Sequence, residues 1–120
     1  MNSENTEELR QAIIDMAVEA WRFRKVFEKA MSKLDPGESS RYFGQFNWFI
    51  KKVNFSLGTA GMRIVNVENK PYDIGMAVTA LNLDDFEPDV PLYVEQMLEP
   101  IIMDESNVLK AGTVLLGRIE

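Results

Sequence analysis

The chain has 120 residues, 46% hydrophobic and 27% charged, a balance that fits one folded domain or two small lobes and not a disordered segment. It contains no cysteine and no histidine. Disulfides and thiolate metal sites are therefore excluded, and the commonest general base and metal ligand are missing.

The net charge of −6 is unevenly placed. Residues 1–60 carry nine Lys/Arg against eight Asp/Glu, a net of +1, and residues 61–120 carry four against eleven, a net of −7. An acidic second half disfavours nucleic acid, whose binding rests on neutralising phosphates. It suits solubility or a docking face for a basic partner. No apolar run approaches the roughly 18 residues of a membrane span, and Met1-Asn2-Ser3-Glu4 is too polar for a signal peptide. A cytoplasmic protein with no membrane contact is expected.

From Thr6 to Leu34 the apolar residues fall at Leu9, Ile13, Met16, Ala20, Phe23, Phe27, Ala30 and Leu34, in alternating steps of four and three. This heptad seam predicts a helix about 40 Å long at 1.5 Å per residue. Thr6 is the expected N-cap, with Glu7 and Glu8 at the positive end of the dipole. Ile14, Val18 and Trp21 form a second stripe beside the first, so the helix is expected to meet more than one neighbour.

Asp35-Pro36-Gly37-Glu38 breaks the helix and restarts it. Pro36 fits a first helical position, Glu38 fits a capping box, and Asp35, Ser39 and Ser40 are equal candidate caps. The second helix carries Phe43, Phe46, Ile50, Val53 and Leu57 along its seam, with Tyr42, Trp48, Phe49 and Phe55 off it. Gly58 or Gly61 ends it. The aromatic residues, Trp21 and Trp48 among them, read as core more readily than as the lining of a ligand pocket. A hairpin gives each helix one neighbour, too few for this much apolar surface. A homodimer is therefore expected, with two hairpins forming a four-helix bundle through Ile13, Met16, Phe23, Phe27, Phe46, Ile50 and Val53. The competing reading is a monomer whose second stripe is covered by the rest of the chain.

The remainder is expected to be β. Met62 to Val67 alternates and is rich in β-branched residues, Glu68 to Pro71 turns, and Tyr72 to Leu83 reads as a second strand bent at Gly75. Leu83 to Pro91 is an acidic loop. Asp84, Asp85, Glu87 and Asp89 are oxygen ligands, but their spacing is not that of a calcium loop, so a solvated or contact loop is expected and no metal. Leu92 to Met103 is extended, with an edge or break at Pro100. Asp104 to Asn107 turns, and Val108-Leu109 leads through Ala111-Gly112 into Thr113 to Leu116. The fold class is thus α+β, a helical hairpin over residues 1–59 and a small β domain over residues 60–120.

Several of these residues, in this order, carry a resemblance to the GrpE family, the nucleotide exchange factors of DnaK-type chaperones. Gly61-Met62 is similar to the Gly-Val that opens the family's β domain after a helix. Lys70-Pro71-Tyr72-Asp73 and Met76-Ala77-Val78 are similar to its turn, Phe-Asp-Pro and His-or-Met segment, with a shorter step between Asp73 and Met76. Val94 through Leu116 follows the family's last segment without a gap, with Ile101-Ile102 for Gly-Tyr, Lys110 for Arg and Ala111-Gly112 for Pro-Ala. The family's long N-terminal stalk has no counterpart. The resemblance implies a non-enzymatic cochaperone without a cofactor, one that binds the ATPase domain of a DnaK-type chaperone and opens its nucleotide cleft. It marks Gly61, Asp73, Met76 and Lys110 as partner-binding positions. Lys for Arg is not a conservative change where a contact is bidentate. The alternative it leaves open is an adaptor of the same fold, dedicated to a specialised chaperone-like ATPase and lacking exchange activity. An enzyme would rest on carboxylate or lysine chemistry, and no paired carboxylates sit on a recognisable scaffold.

Overall fold

The computed structural model describes residues 3–120 and is α+β: two helices are followed by six short strands in two three-stranded sheets. The chain forms two compact units, one ending at Arg63 and one spanning Ile64–Glu120.

The helical unit holds α1 (Ser3–Met31) and α2 (Pro36–Thr59). Helix α1 has already begun at Ser3, so Thr6 lies inside it and does not cap it. The physical reason is the run Glu7-Glu8, good helix formers that also suit the positive end of the dipole. The Arg22–Glu19 and Arg24–Glu28 pairs, at 2.9 and 3.2 Å, add i,i+3 and i,i+4 support along its surface. Of the three candidate caps of α2, Asp35 holds the position: its Oδ1 accepts the Glu38 N–H at 3.0 Å, with Pro36 in the first turn. Gly61 ends the helix. Its φ of +76° is left-handed, its N–H donates to the Gly58 carbonyl, and the Met62 N–H reaches back to the Leu57 carbonyl at 2.9 Å. These crossed bonds form a Schellman stop, which needs a residue without a Cβ penalty at that φ.

The two helices meet through phenylalanines. Phe27 stacks on Phe46 at 5.0 Å, and Phe23 meets Phe49 edge-on at 6.0 Å. No helix among the described residues is long and apolar enough to cross a membrane.

In the second unit the strands are shorter than the sequence suggests. The expected strand Met62 to Val67 is β1 (Arg63–Val65), and the expected strand Tyr72 to Leu83 is only β2 (Val78–Ala80). Local hydrogen bonds outcompete the ladder before β2: the Asp73 carboxylate accepts the Gly75 N–H at 3.1 Å, and the Asp73 carbonyl accepts the Met76 N–H at 2.9 Å. A single 3-10 turn follows at Leu83–Asp85. The extended segment splits at Pro100 into β3 (Leu92–Glu99) and β4 (Ile101–Met103), as the missing N–H of proline requires. Strands β5 (Val108–Lys110) and β6 (Gly112–Arg118) complete the unit.

One sheet has the order β1-β4-β5 and the other β2-β6-β3. Strand β6 is central in the second, parallel to β2 through Val78↔Gly112 and antiparallel to β3 through Val94↔Leu116. The register of β3 shifts between Val94 and Gln96. This bulge lets Leu92, Val94 and Met97 all point inward although they are not evenly spaced. The Met97 N–H at the bulge is taken up by the Glu68 carboxylate at 2.9 Å. The core is Val94, Met97, Ile102 and Val114, all fully buried, with Leu116 and Ile101 beside them.

Candidate protein-binding surfaces

Two surfaces stand out, one on each unit. On the helical unit the predicted seam is largely uncovered: Leu9, Met16 and Phe23 are 53, 70 and 52% exposed. Ile14, Val18 and Trp21 of the second stripe are buried, and the Arg24 and Lys25 head groups lie 5.3 and 5.2 Å from the Trp21 ring centre. Beside the open seam runs a groove of about 530 Å³ between the helices, lined by Ile13, Met16, Ala17 and Ala20 of α1 and by Phe49, Val53 and Leu57 of α2, with Lys52 and Ser56 as its polar members. Of the seven residues expected to dimerise, Met16 and Phe23 are exposed, while Ile13, Phe27, Ile50 and Val53 are half-buried. Phe46 is buried and stacks on Phe27, so it serves the hairpin itself.

On the β unit, two of the four sequence-marked residues, Met76 and Lys110, flank one end of the second sheet, while Asp73 follows Tyr72, whose N–H donates to the Leu92 carbonyl toward the other end. Strands β2 and β6 start side by side, and the Gly112 N–H donates to the Ala77 carbonyl at 2.9 Å. Met76-Ala77, which lead into β2, and Lys110-Ala111, which lead into β6, therefore arrive at the same edge. Strand β3 ends there too, with Glu99 opposite Thr113. Lys110 is not a free cation. Its Nζ lies 3.3 Å from Glu99 Oε1 and 3.0 Å from the Ala111 carbonyl, and Thr113 Oγ1 donates to the same Glu99 oxygen at 3.1 Å. Met76 is half-buried, and its Sδ accepts the Asp73 N–H at 3.3 Å. Gly61, the fourth, belongs to the helical unit, where it closes α2.

Sequence reasoning missed Glu99 and Thr113, because their approach to Lys110 depends on a bulged register that no local pattern encodes. It also missed Ile74, at 88% the most exposed large apolar residue among those described, which sits at the tip of the Asp73–Met76 turn. The shortened step between Asp73 and Met76 was its only signal.

The acidic loop forms a separate hollow of about 490 Å³ with Tyr72, Phe86 and Leu92 among its walls. Among the described residues no three acidic groups are placed to hold a metal ion. Comparison with protein-family models, curated proteins and solved structures finds no match.

Proposed function

We propose that this chain is a GrpE-like cochaperone that acts in the cytoplasm, binds the ATPase domain of a DnaK-type chaperone and promotes release of its ADP. The observation that supports this reading is that Met76 and Lys110, separated in sequence, flank the paired starts of β2 and β6. That end, in the region 60–120, is the gripping surface. Residues 1–59 are the dimerisation region, and a second copy lies against the open seam and groove so that two hairpins form a four-helix bundle.

The mechanism is linkage and not bond chemistry. The protein binds the nucleotide-open state of its partner more tightly than the closed one, so ADP and the protein weaken each other's binding by the same factor. A second reading, an adaptor that binds a specialised chaperone-like ATPase without exchanging its nucleotide, is favoured by the departures from the family pattern at Ile101-Ile102 and Lys110-Ala111-Gly112.

Release of a fluorescent ADP from a DnaK-type ATPase domain separates the two. Faster release supports exchange, binding without faster release supports the adaptor, and no binding removes both. The dimer is checked by light scattering on a sizing column, where a monomer at micromolar concentration refutes it. About half of Phe23 is at stake in the seam. At roughly 1.5–3 kcal/mol per fully buried apolar side chain, Phe23→Ala costs about 1 kcal/mol per protomer and about 2 per dimer. That raises the dimer dissociation constant about 30-fold.

A further inference from the structure

Helix α2 carries a second exposed ridge whose two large rings, Trp48 and Phe55, line neither the hairpin contact nor the groove, although Lys52 between them also reaches the groove's rim. Trp48 and Phe55 are 64 and 71% exposed, seven residues apart on one face. Each follows by two residues a side chain turned toward α1, Phe46 and Val53, which places it about 200° around the helix, on the far side. Between the two rings lies Lys52, whose Nζ is 5.8 Å from the centre of each. Among the described residues no carboxylate pairs with this ammonium.

The charge along this stretch of α2 is of one sign. Residues 39–59 contain Arg41, Lys51 and Lys52 and no acidic residue, in a chain whose Asp and Glu outnumber its Lys and Arg by 19 to 13. One turn before Trp48, Gly44 lies inside the unbroken helix. A Cβ built there meets nothing within 4 Å, so no packing inside the chain calls for a glycine, although glycine weakens a helix interior. A bare strip of backbone beside an exposed tryptophan is where another chain can come close.

We infer that this ridge is a docking site for an acidic amphipathic segment of a partner protein. Its carboxylates meet Lys51 and Lys52, and its apolar side chains lie on the Trp48 and Phe55 rings, over the Gly44 strip. Charge complementarity selects the partner, and the two aromatic anchors supply the contact area. The inference does not depend on the cochaperone reading.

Tryptophan emission reports on it directly, because Trp21 is buried and Trp48 is exposed. The probe is a synthetic helical peptide of Glu, Ala and Leu with its leucines at seven-residue spacing. It is titrated into the full chain at low salt, beside its Lys-for-Glu twin, phosphatidylserine vesicles and single-stranded DNA. The expected result is a saturable blue shift with the acidic peptide alone, weakened by salt. Phe55→Ala and the Lys51→Glu/Lys52→Glu pair, both on exposed side chains, each weaken it about tenfold or more. Gly44→Leu raises the melting temperature yet weakens binding, which a purely structural ridge does not predict. No shift with the acidic peptide overturns the proposal. So does an equal shift with the basic twin, a stronger one with vesicles or DNA, or a shift with protein concentration alone, which assigns the ridge to a second copy.

Discussion

Asn82 offers the sharpest test of how the β unit is held together. Strand β2 ends at Ala80, and the Leu81 N–H still reaches the Val114 carbonyl at 3.0 Å. One residue later the side chain replaces the backbone: Asn82 Nδ2 donates to the Leu116 carbonyl at 3.0 Å, and Asn82 Oδ1 accepts the Leu116 N–H at 2.8 Å. The amide thus mimics one more rung of the ladder. Asn82→Ala leaves both backbone groups of Leu116, a residue 3% exposed, without partners. At roughly 1–3 kcal/mol for each orphaned group, eased where water enters, the loss is about 2–4 kcal/mol. For a unit this small that lowers the melting temperature by the order of 10 °C. Asn82→Asp keeps the acceptor but sets an oxygen against the Leu116 carbonyl, so it does no better than alanine. Both tryptophans lie in the helical unit, so their fluorescence reports the wrong half. The assay is urea unfolding followed through the backbone amide signals of Val94, Val114 and Leu116. A loss below about 0.5 kcal/mol would refute the reasoning and show that water substitutes for the amide without penalty.

Three further outcomes follow from single positions. Gly61→Ala meets no steric obstacle but must hold φ at +76°, so it destabilises the helical unit by about 1 kcal/mol, and Gly61→Asn by less; thermal unfolding ranks them. Asp35→Ala removes the cap on the Glu38 N–H and costs about 1 kcal/mol, while Asp35→Ser restores most of it in the same measurement. Gly112→Ala places a Cβ 2.6 Å from Met97 Cε and 3.0 Å from the Glu99 carbonyl oxygen, so it costs about 1–3 kcal/mol of β-unit stability in urea.

The helical half was the more legible because its signals are local. Periodicity located both helices, and Asp35, Pro36 and Gly61 punctuated them through chemistry within a few residues of each boundary. Thr6 misled because a capping residue also sits quietly inside a helix when its neighbours are good helix formers. In the β half, the segment Tyr72 to Ala77 has strand-like composition, yet the Asp73 side chain and carbonyl close a turn before pairing can begin. Likewise the even alternation of β3 is broken by its bulge, so Met97 and not Gln96 faces the core. The parallel pairing of β2 with β6, across more than thirty residues, has no local sequence signal at all. That pairing assembles the candidate site, and so the site was legible as separate residues but not as a surface.

The same geometry bears on how Lys110 can both be tied and still make a contact. Its pair with Glu99 leaves about a quarter of each side chain exposed, so both groups stay within reach of solvent and of another chain. In the proposed complex, an incoming carboxylate of the partner takes the place of Glu99. Glu99 is not orphaned by the exchange, because Thr113 Oγ1 keeps its hydrogen bond to the same oxygen. Held in this way, the ammonium loses less side-chain freedom on binding than an unpaired lysine does. Intramolecular pairing thus separates the two functional readings less by whether Lys110 binds than by what it binds. Exchange requires that its new carboxylate belong to a part of the ATPase that moves when the cleft opens, whereas an adaptor needs only one that stays still.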